Sequence, residues 1–153
     1  MLESVLPVLQ GLLTTVKAMA SFDAFRKGRK GDARALIEEL KDNSRLCFRS
    51  INDDVELALT VPEFTTVEFD RLNKAGFNFN GLKGGRIATY SGIQETDLAS
   101  WPGKTTSELV QNIYDKIKNL KSLHKFKPSH PTARRRLVNI HKRLLLLLRH
   151  AEA

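Results

Sequence analysis

The chain has 153 residues, of which 41% are hydrophobic and 27% are charged, so it is long enough for one domain with its own core. This composition excludes a disordered chain, which would combine low hydrophobicity with high charge. The formal net charge of +8 is uneven, because residues 116–153 hold eleven basic residues and one acidic residue, whereas residues 1–115 hold fourteen basic and sixteen acidic residues. Such polarisation predicts an anionic partner.

Cysteine content and the N-terminal segment bear on the cellular compartment. Cys47 is the single cysteine, so no internal disulfide can form and a reducing compartment is expected. Residues 2–20 lack the basic leader of a signal peptide, and polar residues interrupt their apolar run. We therefore predict a cytoplasmic protein without a membrane span.

Two helices are predicted in the first third of the chain. The first begins near Leu6, because Pro7 suits the first turn of a helix. Its apolar residues recur at three- and four-residue steps: Leu2, Val5, Leu6, Leu9, Leu12, Leu13, Val16 and Met19. Two glycines in 26–32 interrupt the pattern, and Asp32 is the predicted N-cap of the second helix. The apolar face of that helix comprises Ala33, Leu36, Ile37, Leu40, Cys47, Phe48 and Ile51.

The centre of the chain is less regular. Thr65 and Glu68 form a capping-box pattern that opens a short helix, which Gly76 would close. Residues 77–104 then contain five further glycines and one proline, which predicts a looped excursion over a helical core. The adjacent carboxylates of Glu38 and Glu39 are expected to face solvent.

Two more helices are predicted towards the C-terminus. Thr105 opens one with a second capping box, and its apolar face comprises Leu109, Val110, Ile113, Tyr114, Ile117 and Leu120. Prolines in 126–131 prevent its continuation, and Thr132 is the predicted cap of a last helix that runs to about His150. The sequence therefore predicts an all-α, four-helix-bundle-like fold with a single helical domain over residues 1–153.

The last helix has a core-facing stripe and a run of five leucines. The stripe comprises Leu137, Ile140, Leu144, Leu147 and Leu148, and the opposite side, expected to be solvated, comprises Arg135, Asn139, Lys142 and Arg149. The run at 144–148 covers the whole circumference of the helix. It is therefore either buried at the centre of the bundle or packed against a second subunit, with Leu145 and Leu146 in the interface of a homo-oligomer.

Basic residues supply the leading functional hypothesis. Three consecutive arginines, at 134–136, occupy the first turn of the last helix, where the helix dipole is positive and cations are unfavourable. Acidic side chains of the fold or an external phosphate could offset them, or the three arginines could simply be solvated as part of an exposed basic face. We predict a non-catalytic accessory subunit that binds the phosphate backbone of RNA or DNA. The predicted contacts are Arg134, Arg135, Arg136, Lys142, Arg149, Arg26, Lys27, Arg29 and Lys30. Aromatic residues are scarce in this region, where Tyr114 and Phe126 stand alone.

Two alternatives remain open. A protein-interaction module would dock its basic helix on an acidic protein, with Trp101, Phe77 and Phe79 as anchors. The spacing of Arg136 and His141, with four residues between them, is similar to the active-site motif of the HEPN family of helical-bundle ribonucleases, found in bacterial defence and toxin systems. That resemblance implies a metal-independent ribonuclease in which the two residues act on RNA at a subunit interface.

Metal and cofactor motifs are absent from the sequence. The four histidines lack the helical spacing of a metal site, and no pair of cysteines accompanies them. Residues 81–86 are rich in glycine but lack the lysine and hydroxyl ending of a phosphate-binding loop. The sequence therefore predicts no metal ion and no cofactor.

Overall fold

The computed structural model describes residues 15–153, and within that range the protein is all-helical, as predicted. The helices are α1 (Thr15–Arg26), α2 (Gly31–Asn52), α3 (Leu57–Thr60), α4 (Val67–Lys74), α5 (Thr106–Phe126) and α6 (Ala133–Glu152). Two single 3-10 turns, Val61–Glu63 and Phe79–Gly81, and one isolated bridge between Arg86 and Thr105 complete the regular structure of this range. No helix in residues 15–153 is both long and apolar enough to cross a membrane. The predicted apolar residues at 2–13 lie outside the described residues.

Helix α6 is the centre of the bundle. It packs against α1, α2 and α5, and all five leucines at 144–148 are fully buried. A helix that is apolar around its whole circumference is stable only where every side is covered. Of the two predicted environments, the core is the one observed. Leu145 and Leu146 therefore belong to the interior of this chain, and their assignment to a subunit interface is wrong.

Helices α5 and α6 run antiparallel, which determines where the basic residues meet. Thr106, at the start of α5, has its hydroxyl 2.7 Å from Nε2 of His150, near the end of α6. At the same end, the Ser21 hydroxyl of α1 donates to Glu152 at 2.6 Å. The end of α5 and the start of α6 therefore meet at the opposite end of the bundle, joined by the turn at 127–132.

The start of α4 is capped by a buried carboxylate from α2. Glu39 accepts hydrogen bonds from the backbone N–H of Glu68 (2.8 Å) and of Phe69 (3.1 Å). The N-cap residue Thr66 makes no side-chain cap, so the predicted capping box of Thr65 and Glu68 is wrong. The expectation that Glu39 faces solvent is also wrong, because unpaired N–H groups and the positive end of the helix dipole stabilise a carboxylate there.

Other helix ends follow the sequence signals in part. The capping box of Thr105 and Glu108 is present, and Gly76 ends α4 with a φ of +77°, a left-handed conformation that glycine adopts readily. The prediction for Asp32 is wrong by two residues, because Lys30 is the N-cap of α2. Thr132 stands at the N-cap of α6 as predicted, yet its side chain makes no cap bond there.

Residues 77–104 form the predicted excursion, and they close one side of the core. Its buried side chains are Phe79, Leu82, Ile87, Ile93, Leu98 and Trp101. Phe77 is half-buried and packs against the same core. The three aromatic residues proposed as anchors for a protein partner are therefore occupied within the chain.

The apolar faces of α2, α5 and α6 are those predicted, since their residues are buried or packed against the core. Helix α1 differs. It buries Ala18, Phe22 and Phe25, whereas Val16 of the predicted stripe is exposed. The two phenylalanines bury more apolar surface than a valine, so they set the orientation of this helix.

Candidate functional site

A groove with basic walls lies where the end of α5 meets the start of α6. Its first part, of about 240 Å³, is lined by Lys116, Asn119, Arg135, Arg136 and Asn139. A second depression of about 390 Å³ adjoins it and is lined by Asn119, Ser122, Leu123, Phe126, Lys127, His130 and Arg136. We call the two depressions together the basic groove. The antiparallel helices bring its residues together from two separate stretches of sequence.

The cations in and beside the basic groove lack acidic partners within the described chain. They are half-buried or exposed: Lys116, Lys127, Arg134, Arg135 and Arg136. No carboxylate oxygen of residues 15–153 lies within 4.0 Å of any of the five. The arginines at 134–136 are therefore not neutralised by neighbouring acidic side chains of the described fold, which leaves solvation and an external anion as the remaining alternatives.

The charges that act on Lys116, at the base of the groove, are mainly positive. Burial is the main cause that lowers the pKa of Lys116, and the charge of Arg143 is the next. Arg136 and Lys142 act in the same direction, while Asp97 opposes them. Burial disfavours a charge of either sign, but the like charges of Arg143, Arg136 and Lys142 favour an anion beside Lys116.

Lys142 is not a surface residue, although it was predicted on the solvated side of the last helix. It is only 2% exposed, and Arg143 is 7% exposed. Both are paired with Asp97, which lies 3.0 Å from Nη1 of Arg143. The prediction failed because the excursion crosses α6 and covers this side. Lys142 is therefore unavailable to a nucleic acid in this structure.

Arg136 and His141 do not form a common site. The imidazole of His141 is fully buried and packs edge-on against Phe48 of α2, with 4.6 Å between ring centroids. Burial lowers the pKa of His141 to about 3, so the ring is neutral at physiological pH. Arg136 lies in the basic groove, and its Nε donates to Thr132 at 3.0 Å. The geometry of the catalytic alternative, with both residues facing RNA, is not present in this chain.

The basic loop at 26–30 lies at the other end of the bundle. Arg26 pairs with Asp23 at 3.3 Å and with Glu38 at 3.0 Å. Arg29 donates to the backbone carbonyl of Leu82 at 2.6 Å. Only two of the four predicted contacts in this loop, Lys27 and Lys30, are exposed.

The distance between this loop and the basic groove is set by α6. Arg29 of the loop bonds to the carbonyl of Leu82, and the next residue, Lys83, donates to the carbonyl of Ala153 at the end of α6. The loop therefore lies near that end of the helix. Helix α6 has 20 residues and is therefore about 30 Å long. Arg149 also lies at the far end, half-buried, with its guanidinium 5.1 Å from the ring centroid of Tyr90. The predicted contacts thus do not form one continuous surface.

Phe126, the last residue of α5, is a surface aromatic that was not among the predicted site residues. Its side chain is 76% exposed and borders the basic groove on one side. On its other side is a more apolar depression, lined by Val61, Pro62, Lys121, Ser122, His124 and Lys125. Tyr114, the other aromatic of the basic region, is instead stacked in the core on Phe69, with 4.2 Å between ring centroids. The signal in the sequence that could have identified Phe126 as a surface residue is that it lies outside the apolar face of α5.

Among residues 15–153, those that could support metal or thiol chemistry are not gathered into a site. In the described range, no group of three or more His, Cys, Asp or Glu side chains could hold a metal ion. Cys47 is buried in the core, where desolvation raises the pKa of its thiol. Comparison of the chain with protein-family models, with curated proteins and with solved structures finds no match.

Proposed function

We propose that the protein binds nucleic acid without catalysis, through contacts between the basic groove and the phosphate backbone. One observation carries the proposal: the exposed and half-buried cations at the junction of α5 and α6 have no carboxylate partner among residues 15–153. Clustered unpaired cations repel one another, and a polyanion relieves that repulsion. Binding also releases the counterions condensed on the phosphates.

The alternatives receive less support from the same geometry. The interaction module was predicted to use Trp101 and Phe79 as anchors, and both are in the core. A ribonuclease that used His141 would need that ring to reach its substrate, and the ring is fully buried. The contacts we propose are therefore Lys116, Lys127, Arg134, Arg135 and Arg136.

A matched pair of charge-reversal variants tests the proposal. Arg135→Glu with Arg136→Glu changes the basic groove, whereas Lys27→Glu with Lys30→Glu changes exposed lysines near the other end of α6. Both variants lower the net charge equally. Binding of a fluorescent oligonucleotide of about 20 residues would be followed by anisotropy at several salt concentrations between about 50 and 200 mM.

We expect the groove variant to bind at least about tenfold more weakly and with a smaller salt dependence, since each lost phosphate contact reduces the logarithmic slope by about 0.7 to 0.9. The loop variant should stay within about threefold of the wild type, because only long-range attraction changes. Equal losses in the two variants would show that net charge and not the groove is responsible. Absence of binding at low salt would refute nucleic-acid binding.

A further inference from the structure

We propose that the basic groove takes single-stranded nucleic acid, and that Phe126 is a stacking platform for one unpaired base. This inference rests on the proposed function, because it names the kind of nucleic acid that the same groove binds. It is carried by the position of one ring among the unpaired cations.

The ring of Phe126 is accessible for stacking. It projects from the last residue of α5 with 76% of its surface exposed, although burial of the apolar surface of a phenylalanine is energetically favourable. Its closest cation, Nζ of Lys125, lies 5.9 Å from the ring centroid, at the outer limit of a cation–π contact. The ring thus has free surface for a flat, apolar partner.

The surroundings of the ring suit a strand whose phosphates and bases alternate. Phe126 lines the same depression as Lys127, His130 and Arg136. A backbone held by Lys127 and Arg136 would therefore place a neighbouring base within reach of the ring. Every base has a π-face, so stacking of this kind requires no particular sequence. In a duplex those faces are hidden within the helical stack, whereas in a single strand they can reach an aromatic side chain.

Charge decides between a nucleic acid and an apolar protein segment as the occupant. The depression on the far side of the ring is also bordered by Lys121, His124 and Lys125, and no acidic residue of the described range 15–153 lines either depression. An apolar peptide would gain nothing from these cations, whereas a phosphodiester strand can use both the cations and the ring. We therefore assign the combined surface to single-stranded nucleic acid.

Substitutions at Phe126 separate stacking from phosphate contact. Phe126→Leu keeps an apolar side chain without a π-face, Phe126→Trp keeps an aromatic ring, and Val67→Ala is a control at another exposed apolar residue. Each protein would be titrated with single-stranded oligothymidylate of about 12 residues and with a duplex of equal length. Thermal unfolding would verify that all variants remain folded.

We expect Phe126→Leu to weaken single-strand binding by about 5- to 100-fold and duplex binding by less than about twofold. Phe126→Trp should bind the single strand at least as tightly as the wild type, and Val67→Ala should match the wild type. Wild-type affinity in Phe126→Leu would overturn the stacking proposal, as would an equal loss on the duplex. The groove variant Arg135→Glu/Arg136→Glu would still report on phosphate binding in that case.

Two further outcomes concern the occupant. If neither oligonucleotide binds the wild-type protein at low salt, the proposed function fails and the stacking proposal fails with it. If polyglutamate of similar length binds as tightly as oligothymidylate, and Phe126→Leu does not change either affinity, an acidic protein becomes the better assignment and the single-strand proposal is overturned.

Discussion

Replacing Asp97 by asparagine should destabilise the fold by leaving two enclosed cations without their acidic partner. Asp97 lies in the excursion and pairs with both Lys142 and Arg143 of α6. Asparagine is nearly the same size, so the substitution removes the charge with little change in packing. The expected effect is therefore electrostatic.

The magnitude follows from burial. Removing one partner of a buried ion pair costs about 3 to 5 kcal/mol, because the remaining charge is uncompensated. Asp97 itself is 40% exposed, and Arg143 keeps hydrogen bonds to Asn112 and to the Asn139 carbonyl, each of 3.0 Å. Both facts favour the lower limit, so we expect a loss of about 3 kcal/mol in the free energy of unfolding. For a chain of this length the melting temperature should fall by about 6 to 12 °C.

Urea unfolding near neutral pH measures this loss, with Asp115→Asn as the control. Asp115 is exposed, and no cation of residues 15–153 pairs with it. Adding Lys142→Met to Asp97→Asn should recover part of the stability, because the buried ammonium is then gone. A loss below about 1 kcal/mol, or a loss equal to that of the control, would refute the reasoning.

The same ion pairs give a pH dependence. Burial works to raise the pKa of Asp97, but the hydrogen bond of Lys142 and the charge of Arg143 outweigh it and leave the pKa below its usual value. A depressed carboxyl pKa contributes stability that is present above the unfolded value of about 3.9 and is lost as the pH falls through the folded value. The difference between the wild type and Asp97→Asn should therefore shrink below about pH 4.

Two further predictions concern buried polar groups. Glu39→Ala should lower the free energy of unfolding by about 2 kcal/mol, because two N–H groups at the start of α4 lose their acceptor. Glu38→Ala should lower it by less than about 1 kcal/mol, since that substitution breaks surface ion pairs only. Urea midpoints of the two variants test this difference, and equal midpoints would contradict the capping role of Glu39. The pKa of His141 is about 3 in the folded protein and about 6.5 in the unfolded chain. As the pH falls below about 6.5, the unfolded chain binds a proton that the folded chain excludes, so the stability of the fold should decrease progressively. Unfolding of the wild type and of His141→Gln between about pH 7 and pH 5 tests this, since the variant should lose that part of the slope. Parallel curves for the two proteins would show that His141 is not the group responsible.

Local signals made most of the fold predictable. The helical periodicity of α2, α5 and α6, the capping box at Thr105 and the stop at Gly76 involve residues at most a few positions apart, and the structure confirms them. The cap of α4 was not predictable in this way, because Glu39 is 29 residues from the N–H of Glu68 that it accepts. Long-range contacts of single side chains leave no periodic trace in the sequence.

The candidate site was predictable only in part for the same reason. The sequence shows how many cations the chain contains, but it does not show which of them form ion pairs. Lys142 is paired across 45 residues with Asp97, whereas Arg136, about one and two-thirds turns earlier on the same helix, has no carboxylate partner within the described chain. Phe126 was visible in the sequence as an aromatic residue, but its exposure depends on how α5 ends against the turn that follows.

The central position of α6 has a consequence for synthesis on the ribosome. Helices α1, α2 and α5 emerge first, yet each packs on a helix that is translated after them. Translation proceeds at about 5 to 20 residues per second, so the apolar faces of the earlier helices remain uncovered for seconds. The nascent chain should therefore stay open to chaperones until the leucines at 144–148 leave the exit tunnel, and ribosome-bound chains whose emerged part ends before residue 137 should be sensitive to protease.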